Sequence, residues 1–210
     1  MKLLITVFLI FIQLLLSGQT FKEFALPEPN KTGGMPIMEA LNNRHSTRSF
    51  TEQKLSKEQM SNLLWAGFGV NRPLKDKRTA PSARNFKEID IYVCIKEGVF
   101  IYKPTTNSLM QISDEDIREI TGTQNYVKDA AVNLVYIADY SRLANPEAKE
   151  RQIWAYANAG FISQNIYLYC ASEGLGTIVR ALVPREVLAK KLNLKFNQEI
   201  ILAQTVGYEK

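Results

Sequence analysis

Residues Trp154 to Tyr169 (WAYANAGFISQNIYLY) read as a helix with apolar side chains on most of its sides. Such a helix cannot lie on a surface, because a surface helix keeps one polar face for water. It must be covered all round by protein, and this requirement constrains the fold more than any other feature of the chain. At 210 residues, 46% of them hydrophobic, the chain can bury one sizeable core without disulfide or metal staples. The spacing predicts a helical stretch opening at Asn145-Pro146, reaching about Cys170, and closed by Gly174-Leu175-Gly176.

The other elements give a mixed pattern. Pro36 suits the first turn of a helix through Met38 and Leu41. Ser56 with Gln59 three residues on forms a capping box for a helix through Met60, Leu63, Leu64 and Phe68, ended by Gly67, Gly69 and Pro73. Asn71 to Arg84 reads as a basic loop. Strands are expected at Ile89–Ile95, Val99–Lys103, Leu109–Ile112, Val132–Ile137 and Glu199–Val206. Ser113 and Asp116 suggest a cap for a short helix, Ile117–Thr121, and Pro184 starts another through Leu188 and Leu192. This order is α+β, without the βαβ alternation of a doubly wound sheet.

The N-terminus reads as an address. Lys2 is followed by an apolar run from Leu3 to Leu16, interrupted at Gln13, and then by Ser17-Gly18. A short positive start, an apolar run and small residues at its end make a secretory signal over residues 1–18, and the run is shorter than the roughly 18 to 25 residues that span a bilayer. The expectation is export to the periplasm with cleavage after Gly18. Without cleavage the same segment would be a membrane anchor. Residues 19–34, with Pro27, Pro29 and Gly33-Gly34, read as an extended arm, and residues 35–210 as one domain.

Composition removes several chemistries. Two cysteines, Cys94 and Cys170, do not make a disulfide scaffold, and their places in a strand and a helix suit buried hydrophobes. One histidine, His45, leaves no Cys/His metal cluster. The net charge of +5 is local: from Arg44 to Lys87 there are ten Lys/Arg against three acids. Most of those lysines suit a solvated face. No nucleic-acid reader motif accompanies the basic stretch, and an exported protein seldom meets nucleic acid.

Two short segments carry the chemistry. In Arg44-His45-Ser46-Thr47-Arg48, the residues Arg44, Ser46 and Arg48 alternate, so an extended backbone turns two guanidiniums and a hydroxyl to one side as a phosphate cradle, with His45 pointing away. An alternating polar surface strand would look the same. Ala80-Pro81-Ser82-Ala83-Arg84-Asn85, just before a strand, offers small side chains, a carboxamide and free backbone donors suited to the edge of a flat ring.

The order R-x-S-x-R, capped helix, P-S-x-x-N turn into a strand, and long apolar helix ending in G-L-G resembles the nitroreductase-like flavoprotein family over about residues 35–208. The resemblance implies an FMN-dependent oxidoreductase with a central antiparallel or mixed sheet flanked by helices, built as an intertwined homodimer. It implies that Arg44, Ser46 and Arg48 hold the FMN phosphate. Pro81, Ser82, Ala83 and Asn85 of the partner subunit would border the isoalloxazine. The backbone N–H groups of Ala181 and Leu182 would lie near flavin N5 and O4, and the apolar helix would be the central dimer helix. Larger relatives add cations after the last strand, for which Lys210 is the candidate here. Thr123 and Tyr126 fall near the positions where relatives place an Asn and a Lys against the pyrimidine. Electron pairs would pass through N5 from a donor to a small organic acceptor, a nitroaromatic or a quinone, by ping-pong kinetics with no protein acid or base. The rival reading is a secreted flavin- or phosphate-binding protein without turnover.

Overall fold

The computed structural model describes residues 22–144 and 147–210. The signal segment and Asn145-Pro146 lie outside the described residues.

Seven strands make one sheet: β1 (Glu23–Ala25), β4 (Ile89–Ile95), β5 (Gly98–Lys103), β6 (Ser108–Ser113), β7 (Val132–Asp139), β8 (Gly176–Arg180) and β9 (Gln198–Gly207). Their order is β1-β6-β5-β4-β7-β9-β8, and every pairing is antiparallel. Tight turns build the β4–β5–β6 meander. Gly98 sits at φ +131°, where a Cβ would lie 2.1 Å from the Ser113 carbonyl oxygen, so no side chain fits. The N-terminal arm is partly a strand: Glu23 pairs with Met110, and β1 forms one edge of the sheet.

Period-two alternation sorts the side chains into two layers. Ile91, Val93, Leu134, Tyr136 and Ile201 face helices α2 (Lys57–Phe68) and α3 (Ala148–Glu173). Tyr92, Cys94, Val135, Ile137 and Ala203 face the other way, under Leu188 of α4 (Arg185–Lys191) and Leu192 at its end. Cys94 and Cys170 are buried and unlinked, and burial pushes the Cys94 thiol up to about 12. Helix α1 (Ile37–Asn43) starts after Pro36 and lies against α3.

Three local expectations are corrected and one strand is added to those expected. Gly67 lies inside α2, because a Cβ there would meet Ile166 Cδ1 at 2.7 Å; the glycine lets α2 approach α3, and the helix ends at Gly69. The Ser56–Gln59 capping box itself forms in both directions. The basic stretch after α2 is no simple loop but a small hairpin, β2 (Val70–Arg72) with β3 (Lys77–Arg78), turned through Asp76 in the left-handed region. Residues 117–121 form only a 3-10 turn, Arg118–Thr121: Ser113 Oγ is taken by the Glu115 N–H, and Asp116 by the N–H and guanidinium of Arg118. Finally, the chain after Gly174-Leu175 enters a strand, β8, with no loop between. Gly174 takes φ +66° to stop the helix, and Thr177-Ile178-Val179 pair directly with β9.

Helix α3 has 26 residues, about 39 Å at 1.5 Å per residue. Ala155, Ala159, Ile162, Ile166 and Cys170 recur at helical spacing and are fully buried in the main core. The opposite stripe is open: Ile153 is 56% exposed, Tyr156 42% and Phe161 47%. The chain's own residues therefore cover this helix on one side only.

Candidate functional site

Residues 44–49 run extended between the start of β8 and the chain's last residues. The Thr47 N–H donates to the Thr177 carbonyl at 3.0 Å, and the Lys210 N–H donates to the Ser49 carbonyl at 3.2 Å. Phe50 bridges to Glu209. The alternation is real and separates two sets of side chains. Odd positions turn to Glu209: His45 Nε2 lies 2.7 Å from its Oε1, and the Thr47 hydroxyl donates to the same oxygen. The Thr47 hydroxyl, and after it His45, hold the Glu209 carboxyl below the usual range. The Asn43 carbonyl at Nδ1, and then Glu209, raise the His45 imidazole.

Even positions turn to Tyr167 of α3. The Arg44 guanidinium lies 5.3 Å from the centroid of the Tyr167 ring, and Ser46 Oγ is 2.9 Å from its hydroxyl. That hydroxyl also accepts the Val179 N–H at 3.0 Å, and either it or Ser46 can be the donor in the bond between them. Arg48 is exposed and near Tyr126, and Lys210 is exposed beside it in the chain pairing. Among the described residues, Arg44, Arg48 and Lys210 have no carboxylate within ion-pairing distance, unlike Lys54, Lys87, Arg118 and Arg142. Two arginines and a serine hydroxyl on one extended segment, with Lys210 paired to it at Ser49, are donors of the kind that can hold an anion.

β8 leads from this cradle to Ala181 and Leu182. As the sheet's edge strand it turns alternate backbone groups away from β9. Thr177 O takes the Thr47 N–H and the Val179 N–H goes to Tyr167, while the Ala181 carbonyl accepts from Arg185. Among the described residues, no hydrogen bond engages the N–H of Ala181 or Leu182. Thr177 and Ala181 are four residues apart, about 13 Å along an extended chain. An anion cradle at one end of an edge strand and free N–H groups at the other fit a flat, phosphorylated cofactor.

The second motif is elsewhere. Ser82 Oγ accepts the Lys87 N–H at 2.8 Å, and Arg84, Asn85 and Lys87 hold positive φ values of 47°, 60° and 52°. Non-glycine residues in that region cost about 1 kcal/mol or more each, and such backbone is kept where surrounding structure dictates it. Pro81 is exposed and Ala83 and Asn85 are half-buried. Arg84 and Phe86 rest on Trp154, at 5.6 and 6.0 Å between centres. Trp154 and Tyr167 are 13 residues apart on α3, so the two motifs dock about 20 Å apart along it. One chain by itself does not bring them together.

Three residues absent from the sequence reading matter. Tyr167 anchors Arg44 and Ser46. Arg180, the last residue of β8, is 4% exposed, and burial lowers its guanidinium to about 10. Gly122 permits it: a Cβ there would lie 1.9 Å from Arg180 Nη1. A β-branched run before Arg180 was the only signal, and it pointed to a strand, not to a role. A cavity of about 960 Å³ between β1 and the start of α2 is lined by Phe24, Met60 and Phe100, and contains none of these residues.

A set of anion donors beside free backbone N–H groups is the arrangement of a protein that binds and orients a cofactor, the bound group supplying the chemistry. Similarity to known proteins narrows the class. The Nitroreductase family model matches residues 41–208, and the chain belongs to the nitroreductase family. It is a nitroreductase-like oxidoreductase, and members of the family are flavoproteins. A Methanocaldococcus jannaschii protein assigned to the nitroreductases is 27% identical over 196 residues, spanning 88% of this chain and 96% of that one. A solved structure from Ralstonia eutropha JMP134, also assigned as a nitroreductase, superposes with a TM-score of 0.86 at 41% identity over 92% of each chain. The NADPH:FMN oxidoreductase of Vibrio harveyi, solved with NAD+, shares the fold at a TM-score of 0.60 and 22% identity, covering 83% of this chain and 69% of that one.

Proposed function

We propose that the flavin is FMN. Its phosphate would be held by Arg44, Ser46 and Arg48 with Lys210 alongside, and its ring would lie against the N–H groups of Ala181 and Leu182. One observation carries this reading: unpaired arginines and a serine hydroxyl sit at one end of an edge strand whose other end carries free N–H groups. Bound there, the flavin would supply hydride or electron-pair transfer. The protein's part is to grip the phosphate, orient the ring and keep water from one face.

The functional unit is a homodimer in this reading. The open stripe of Ile153, Tyr156 and Phe161 on α3 calls for a second apolar surface, and a second α3 is one. Pairing through that stripe would let Pro81, Ser82, Ala83 and Asn85 of one chain reach the cradle of the other. A nicotinamide nucleotide or another small reductant would reduce the flavin and leave. A small organic acceptor, a nitroaromatic or a quinone, would then occupy the same face, giving ping-pong kinetics. Residues 1–18 direct export, so the acceptor would be met outside the cytoplasm.

The test is the absorbance of the purified protein with added FMN. A yellow protein bleached by dithionite and reoxidised by an added quinone supports the enzyme. A colourless protein with no affinity for FMN refutes the reading, and a yellow one that neither dithionite nor NAD(P)H reduces leaves a flavin-binding protein without turnover. Arg44→Ala and Arg48→Ala should each weaken FMN binding by about 1.5–3 kcal/mol, the range for a hydrogen bond to a charged group. Unchanged retention in both variants would remove the phosphate assignment.

A further inference from the structure

Arg180 is a buried cation with no anion beside it. Its Nε donates to Thr205 Oγ1 at 3.1 Å, Nη1 to the Thr121 carbonyl at 2.7 Å, and Nη2 to Asn133 Oδ1 at 3.1 Å. Gln124 Oε1 stands 3.5 Å from Nη1. Every acceptor is neutral, and among the described residues no carboxylate comes within ion-pairing distance. Burial lowers the guanidinium only to about 10, so it remains charged at neutral pH. Removing a charge from water costs several kcal/mol unless a partner offsets it. Four neutral dipoles can hold the group in place, but they leave its net charge uncompensated.

The charge lies behind the proposed cofactor face. The turn over the guanidinium, residues 121–127, carries Tyr126, whose phenol feels both Arg180 and Arg48 against the upward push of its own burial. Arg48 belongs to the anion cradle, and Arg180 directly precedes Ala181 and Leu182. The guanidinium is kept from water, and the field of a charge so buried is less screened than at the surface. A flavin that takes up a hydride, two electrons and one proton, gains one negative charge on the pyrimidine edge of its ring. The oxidised ring has no such charge.

We infer that Arg180 is a positioning and tuning residue, a fixed buried countercharge that favours the reduced over the oxidised flavin. This rests on the FMN reading above. The residue would not touch the ring. It would act through the field it sets behind Tyr126 and through the turn it pins, and the gap left by Gly122 is what lets it sit so close beneath that turn.

The experiment compares the dissociation constants of oxidised and dithionite-reduced FMN for the full chain, Arg180→Gln and Arg180→Lys. Loss of the charge should cut the preference for the reduced form at least tenfold in Arg180→Gln, equal to a midpoint potential about 30 mV lower for a two-electron couple. Arg180→Lys should recover most of it. A loss that is merely structural would weaken both forms equally and leave the ratio unchanged, which would overturn the inference. If Arg180→Gln does not fold, the unaltered protein still decides: bound FMN with a potential at or below that of free FMN overturns it, and a higher one supports it. A chain that takes up no FMN in either state overturns the cofactor reading together with this one, whereas FMN bound with an unaltered ratio overturns this one alone.

Discussion

Gly122→Ala tests the packing beneath the 121–127 turn without any cofactor. The new methyl would fall 1.9 Å from Arg180 Nη1 and 3.0 Å from its Cζ, well inside van der Waals contact. A guanidinium at the end of a flexible side chain could swing away in water. This one is pinned by Thr205, Thr121 and Asn133 and is 4% exposed. Relief of the clash therefore requires giving up at least one charged hydrogen bond, about 1.5–3 kcal/mol. Overpacking of a filled site adds about 1 kcal/mol at the low end of its usual range. The sum is about 2.5–4 kcal/mol, a large share of the roughly 5–15 kcal/mol that holds a domain together. At about 2–4 °C per kcal/mol for a chain of this size, the midpoint should fall by about 5–16 °C. Thermal and urea unfolding followed by circular dichroism give both quantities. The mechanism also demands non-additivity: on an Arg180→Val background the same alanine should cost markedly less, because the nearest clash is gone and only Gln124 Oε1, at 2.7 Å, remains to be moved. A Gly122→Ala protein as stable as the parent, or one that loses equally on both backgrounds, would refute the account.

Two further outcomes follow from the surface. His45 should titrate above its model-peptide value of about 6.5, and Glu209→Gln should bring it down, as read by imidazole proton shifts. Its folded value is raised, so the small stability it adds is full below pH 6.5 and fades as pH rises through the folded value, the opposite sense to Glu209, whose contribution fades on acidification. Phe161→Glu places a charge in the middle of the open stripe of α3; sedimentation should show the proposed dimer for the parent and a monomer for the variant, with the far-ultraviolet spectrum unchanged. A parent already monomeric at micromolar concentration would remove the dimer from the proposal.

Much of this arrangement could be read along the chain because it is local. Ser56 and Gln59 form the reciprocal cap their spacing demands, and β4 spans Ile89–Ile95 as its β-branched run indicates. The alternation in residues 44–48 also survives folding, since period two needs only an extended backbone to sort Arg44 and Ser46 from His45 and Thr47. The misreadings arose where a distant residue decides. Gly67 looks like a helix end until Ile166 comes to lie against it. Arg180 binds groups from residues 121, 133 and 205, which no spacing rule connects, and its burial contradicts what its residue type suggests. β8 was hidden by the glycines before it. The same Gly174 that ends α3 also aims the chain into the sheet, so helix stop and strand start coincide.

The place of β9 has a consequence for how the molecule comes into being. This strand is the last in the sequence but lies inside the sheet, between β7 and β8, where it supplies ladder bonds to both. Without β9, β8 has no strand partner in the sheet, and β7 and β8, 37 residues apart at their nearest ends, have no strand to join them. The β7–β9–β8 part of the sheet therefore assembles only when residues 198–207 take their place, and moving the β9 sequence ahead of β7 by circular permutation should let that ladder form earlier in folding.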